Sequence, residues 1–150
     1  MAQAGASASR LRLLAEDADD LKVISAALQD AVAKVGDIQY EPAARRLTLA
    51  VNRFRWEAED GDGGERVRSA LQLNGVAKVQ ARGLRRDSKD ALAVLLAIEF
   101  EPAGGEEDPS GAVVLHFAGG ADLRAEVECV DAVMADVSDP WPTPRRPGHD

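Results

Sequence analysis

The sequence predicts an α+β fold in which one N-terminal helix packs on a curved, mainly antiparallel sheet of about seven or eight strands, a roll or partly open barrel. Three observations lead there. Apolar residues recur at helical spacing in one stretch, Leu21 to Val35. After Gly36 apolar and polar residues mainly alternate, the period of a strand. Turn signals rich in glycine and proline separate the alternating runs, so sequential strands follow one another, and a sheet of that many strands usually curls.

The segment "LRLLAED" is a short strand or lead-in. In "EDADDLKVISAALQDAVAKVG", Leu21, Ile24, Leu28, Ala31, Val32 and Val35 make one apolar stripe. Asp17 can cap its start, Asp19 and Asp20 suit the positive end of the dipole, and Gly36 can take the left-handed conformation that ends a helix. Together these predict a helix from about residue 18 to 35. "DIQYEPAARRLTLAV" reads as a hairpin turning between Pro42 and Arg45. From Val67 to Ala81 the odd positions are small or apolar, giving a half-buried ribbon bent or broken at Asn74-Gly75. "ALAVLLAIEFEP" is apolar almost throughout until Glu99, which predicts the central, most buried strand. Val113, Leu115 and Phe117 alternate up to Gly119-Gly120, a tight hairpin, and Leu123, Ala125, Val127 and Cys129 face inward on the return strand. After about residue 130 both strand and helix fit the pattern. The expected organisation is a flexible N-terminus over 1–9, one domain over 10–138 and a proline-rich tail over 139–150 that carries Trp141. In shape alone this is similar to pleckstrin-homology-like barrels.

One strand poses a question. In "LTLAVNRFRWE", Leu47, Leu49 and Val51 occupy odd positions, whereas Phe54 and Trp56 occupy even ones, as if the alternation slipped at Asn52-Arg53. A β-bulge there would shift the inward set by one residue. It would either curve the sheet, with Phe54 and Trp56 in the core and Arg53 and Arg55 outside, or aim Asn52 and Arg53 into a cleft.

Composition narrows the functional classes. A chain of 150 residues with 45% hydrophobic content suits one globular domain that folds without metal or disulfide. The single Cys129 and the lack of an apolar signal-peptide core point to a cytoplasmic protein, and the longest apolar run, "LAVLLAI", is far too short to span a bilayer. Net charge is −8, distributed as −3 over residues 1–44, +5 over 45–89 and −10 over 90–150. The overall field disfavours nucleic acid and anionic membranes. The basic middle third either pairs with acidic neighbours across strands or forms an anion-binding patch.

No catalytic, metal-ligand or phosphate-loop signature is present, and no cofactor is expected. The candidate binding residues are Asn52, Arg53, Trp56, Arg66, Arg68 and His116. Successive strands could bring Arg53, Arg55, Arg66 and Arg68 together beside Trp56, with Glu126 and Glu128 as alternative partners. His116, on the less apolar face of its strand, could titrate near neutrality; His149 lies in the tail.

The segments "LQDAVAKVGDIQYEP", "NRFRWE", "LLAIEFEP", "VLHFAGGADLRAEVE" and the terminal "W…RRPGH" resemble a family of small alphaproteobacterial proteins known only as a domain of unknown function. The resemblance covers nearly the whole chain and implies a cytoplasmic single-domain protein, with no activity or residue role to carry over. The expected function is therefore a non-enzymatic binding or adaptor module that meets a protein partner at the basic ribbon or a free sheet edge. The alternative is an enzyme or sensor for a small anion using the arginine patch.

Overall fold

The computed structural model describes residues 10–58, 64–144 and 147; the N-terminus over 1–9 and His149 lie outside the described residues. In chain order the elements are β1 (Arg12–Ala15), α1 (Ala18–Ala27), β2 (Val32–Glu41), β3 (Arg46–Phe54), β4 (Gly64–Leu73), β5 (Val76–Arg82), β6 (Leu92–Pro102), β7 (Gly111–Phe117), β8 (Asp122–Val127), β9 (Ala132–Asp136) and β10 (Trp141–Thr143). The α+β class holds, with ten strands among the described residues rather than seven or eight. All pairings are antiparallel, in the order β1-β9-β4-β3-β2-β6-β7-β8-β5, with β10 added to β4.

Chain continuity makes this sheet roll. β4 is third and β5 last along the path, yet Asn74-Gly75 alone joins them, with Gly75 at φ 67°. The far end of the sheet must therefore curve back beside its beginning. It does not close: β5 pairs with β8 alone. Across the gap, the Val76 N–H donates to the Arg45 carbonyl (2.9 Å) and the Tyr40 hydroxyl to the Val76 carbonyl (2.8 Å), both at the start of β5. Along the rest of β5 a seam separates it from β2.

The helix is shorter than its apolar stripe suggests. Asp17 Oδ1 accepts from the Asp20 N–H (2.8 Å), the expected cap, and Leu21 and Ile24 are buried. The helix then stops at Ala27, not Val35. Asp30 adopts φ 63°, an uncommon conformation for a residue with a side chain but one that aspartate tolerates better than most. Its N–H donates to the Leu95 carbonyl and the Leu95 N–H to the Ala31 carbonyl, which delivers the chain into β2. Ala31, Ala33 and Val35 are buried at strand spacing. The apolar positions fit both periods, and pairing of Val32 with Val94 and Asn52 decides for strand.

Other expectations are met or revised in the same terms. The turn at Pro42–Ala44, the break at Asn74-Gly75 and the Gly119-Gly120 hairpin, both glycines at positive φ, stand as read. β6 lies near the middle of the path, but it is not the most buried strand: Leu92 is 66% exposed and Leu96 is exposed too. Cys129 is exposed, because β8 ends at Val127 and the turn that follows sends Val130 inward instead. Residues 132–136 are strand β9, and the proline-rich tail contributes β10, where Pro142 occupies an edge strand that tolerates a missing N–H. The main core lies inside the roll, where Leu21, Ile24 and Leu28 meet inward residues of the sheet such as Leu49, Leu71, Leu115 and Met134.

Candidate functional site

The β3 strand does not slip. Its register with β4 runs unbroken from Leu47 opposite Leu73 to Phe54 opposite Arg66. Leu47, Leu49, Val51 and Arg53 all point inward, and the arginine is fully buried. The irregularity lies in β2, between Ala33 and Ile38, a span that includes Gly36. Arg53 is thus inside, not outside or free to bind a ligand. Phe54 is buried on the opposite face, beneath Trp56 (ring centroids 4.8 Å apart at 62°) and against Gly64, where an added Cβ would lie 2.5 Å from the ring. Trp56 is half-buried rather than a core residue, and its Nε1 donates to the Gln29 carbonyl (3.1 Å).

Burying a guanidinium is tolerable only if every donor finds a partner. Arg53 Nε donates to Asp136 Oδ1 (2.9 Å), and Nη2 to Asp136 Oδ2 (2.9 Å) and Glu57 Oε2 (2.7 Å). Nη1 donates to Glu57 Oε1 (2.9 Å) and the Phe54 carbonyl (3.3 Å). All five N–H groups are used. Asp136 also accepts from Ser69 Oγ (2.6 Å) and the Leu11 N–H (2.8 Å). Burial would raise the carboxyls of Asp136 and Glu57, but hydrogen bonds from Arg53 and its charge outweigh it and hold both below the usual carboxylate range. Burial likewise opposes the charged guanidinium, and the two carboxylates reverse that, raising the Arg53 pKa. This cluster joins β3, the following turn, β4, β9 and the lead into β1. It is a structural tie.

The other arginines are mostly engaged too. Arg68 donates to Asp37 Oδ2 (3.0 Å) and Asn52 Oδ1 (3.1 Å), and Arg55 pairs with Glu65. Among the described residues, Arg66 reaches only the Asn52 carbonyl, at 3.4 Å. Glu128 pairs with Arg45 (3.1 Å). Ion pairs Arg45–Glu128, Arg53–Asp136 and Arg82–Asp122 tie the basic middle third to the acidic last third.

His116 is not brought to this cluster. It lies on β7 in the other half of the roll, opposite Asp122, beside a polar hollow of about 540 Å³ that also contains Gln80, Arg82, Glu101 and Arg124. Its Nε2 is 2.6 Å from Glu99 Oε1, though out of line for a hydrogen bond. Arg82 pairs with Asp122, and Arg124 with Glu101 at 2.6 Å. Each cation there already faces a carboxylate.

Besides Val23 of α1 and Leu92 and Leu96 of β6, the exposed large apolar side chains lie on or beside the outer face of β1, β9, β4 and β10. Register puts Leu14 beside Val133, Arg12 beside Ala135, Ala70 beside Ala135, and Trp141 beside Arg66, all on one face. Leu14 is 57%, Val137 53% and Trp141 37% exposed. Together they form an apolar strip with arginines at its edges. No carboxylate among the described residues pairs with Arg12 or Arg66. Also among the described residues, no group of three or more His, Cys, Asp or Glu side chains is arranged to hold a metal ion, and no helix is long and apolar enough to cross a membrane.

A family model described as "Protein of unknown function (DUF2948)" matches residues 11–149. The chain belongs to the DUF2948 family. No curated protein and no solved structure matches it. The DUF2948 match starts at Leu11, whose N–H meets Asp136, and runs past β10, so the Arg53 tie and the outer strip both lie within it. Sequence reasoning named Trp141 but missed Leu14 and Val137 in this DUF2948 chain. It also missed Asp136, for which a signal was available: its place at the inward end of Ala132, Met134, Asp136, matching Arg53 at the inward end of Leu49, Val51, Arg53.

Proposed function

We propose that this protein is a non-enzymatic binding module, acting in the cytoplasm, whose partner docks on the outer face of β1, β9, β4 and β10. The partner is a protein segment that is apolar and acidic. One observation supports this reading above the others: an exposed apolar strip, Leu14, Val137 and Trp141, bordered by Arg12 and Arg66, in a protein whose net charge is −8. Exposed apolar surface bordered by polar groups is the usual mark of a contact site, and β1 offers a sheet edge beside it. The pleckstrin-homology-like comparison enters only as a shape, a rolled sheet with a free edge. The alternative reading, an anion site built on Arg53, Arg66, Arg68 and His116, has less support, because the donors of Arg53 and Arg68 are engaged and His116 lies elsewhere.

The test is site-specific photo-crosslinking in the native host. A crosslinker at position 14 or 137 captures one defined protein, whereas a crosslinker at the exposed Lys78 on β5 does not. Leu14→Asp abolishes that capture while leaving the thermal melt unchanged. A monomer that gives no product from positions 14 and 137, or the same products from all three, overturns the reading.

A further inference from the structure

The seam between β5 and β2 is spanned by the segment 83–91, and beneath it lies a cavity of about 190 Å³. Its walls are apolar: Ile38 and Tyr40 of β2, Val79 of β5, and Leu123 of β8, with Leu84 from the spanning segment. The Tyr40 hydroxyl is engaged with the Val76 carbonyl, so it presents its ring. One charged residue lines the space, Arg86, and no carboxylate among the described residues pairs with it. On the other side of Leu84 is a second space of about 190 Å³, lined by Phe117, Ala93 and Ala121. Leu84 and Val35 border both, and Leu84 is only partly buried.

The segment is held at both ends. Gly83, at φ +77°, lies against Ala121, an approach a larger residue would not make. At the other end the Val35 N–H donates to the Ala91 carbonyl (2.8 Å) and the Gly36 N–H to the Lys89 carbonyl (2.9 Å). An added Cβ on Gly36 would lie 2.9 Å from Lys89 Cβ, so the glycine permits this docking. The β2 irregularity, which includes Gly36, thus anchors the strap over the seam.

We infer that the seam cavity binds a small monocarboxylate with an apolar chain, the chain beside Leu84 and the carboxylate on Arg86. Each space is below the roughly 300–1,000 Å³ typical of drug-sized ligands, which limits the occupant to a short chain. Arg86 supplies a bidentate fork for a carboxylate at the mouth of the first space, while Arg85 lines the second. This site is separate from the outer strip and does not depend on it.

The experiment is an amide-resolved NMR titration of the full chain with octanoate, and with octanol as the neutral probe. Octanoate gives saturable shifts at Val79, Leu84 and Leu123. Arg86→Gln weakens octanoate by about tenfold or more and leaves octanol unchanged, the consequence of losing a hydrogen bond to a charged group. Leu84→Trp, which fills the space from a surface segment, abolishes both while the melt shows the protein folded. The inference is overturned if no saturable shift appears, if Arg86→Gln has no effect, or if the shifts map to Leu14, Val133 and Trp141. That last outcome would be amphiphile coating the outer strip, and it would leave the protein-docking reading to its own crosslinking test.

Discussion

The two ends of the rolled sheet solve the same problem in opposite ways. Around Arg53 the strands are tied by a buried charge with every donor used. At the β5 seam two hydrogen bonds near Val76 hold one end, and beyond them the gap is bridged by a strap and filled only in part by Leu84. A saturated polar cluster fixes one arrangement, whereas an apolar gap covered by a half-buried side chain permits several. The charge that looked available for function in the sequence is structural, and the open space lies in the apolar gap.

The largest effect that sharpens this contrast is Arg53→Met. It leaves Asp136 buried beside Ser69 without its cation, and should cost about 3–5 kcal/mol in urea denaturation. Adding Asp136→Leu should recover only part of that loss, since it removes the orphaned carboxylate but leaves Ser69 Oγ and the Leu11 N–H without their acceptor. If the single variant instead loses less than about 1 kcal/mol, Arg53 is not a tie. Acid should act in the same direction. Asp136 and Glu57 titrate lower when folded than when unfolded, so their contribution is full above about pH 5 and is lost as pH falls from about 4 through their lowered folded values. Urea midpoints at pH 7 and pH 3.5 should diverge more for the native chain than for the Arg53→Met, Asp136→Leu pair.

Trp56→Ala comes next, at about 1–3 kcal/mol, from one edge-on aromatic contact and one hydrogen bond to Gln29. A loss above that of Arg53→Met would restore Trp56 to the core. At the seam Leu84→Ala should cost only about 1 kcal/mol, because the side chain already borders empty space. The smallest effect is none: no duplex DNA shift at micromolar protein and physiological salt, since the middle-third cations mostly face carboxylates and the whole protein repels phosphate.

The fold was legible where local chemistry and tertiary demand agree. Asp17, Pro42, Gly75 and the Gly119-Gly120 pair each did what their backbone preferences suggest. It was misleading where one residue type served against habit. Val32 and Val35 fit a helix stripe and a strand equally, and the choice came from β6, some sixty residues away. Arg53 broke an apolar alternation that in fact continues through it, so the strand seemed to change faces when only the polarity of an inward residue had changed. Of the candidate residues, Asn52, Arg66 and Arg68 do come together, Trp56 stands near them over Phe54, and His116 does not join them. The outer strip is invisible in any single segment because it is assembled from β1, β9, β4 and the tail.

The place of β9 also has a consequence for synthesis. It lies between β1 and β4, and the bond from the Leu11 N–H to Asp136 spans 125 residues. On the ribosome, then, β1 lacks its partner strand until β9, more than a hundred residues later, has emerged. Arg53 meets Glu57 at once, four residues on, but must wait for Asp136, on the order of ten seconds at ordinary translation rates. During that interval a guanidinium destined for the interior has one of its two carboxylates. Glu57 is therefore more than the outer member of the cluster: it is the partner that accompanies the charge while the strand that will bury it is still being made.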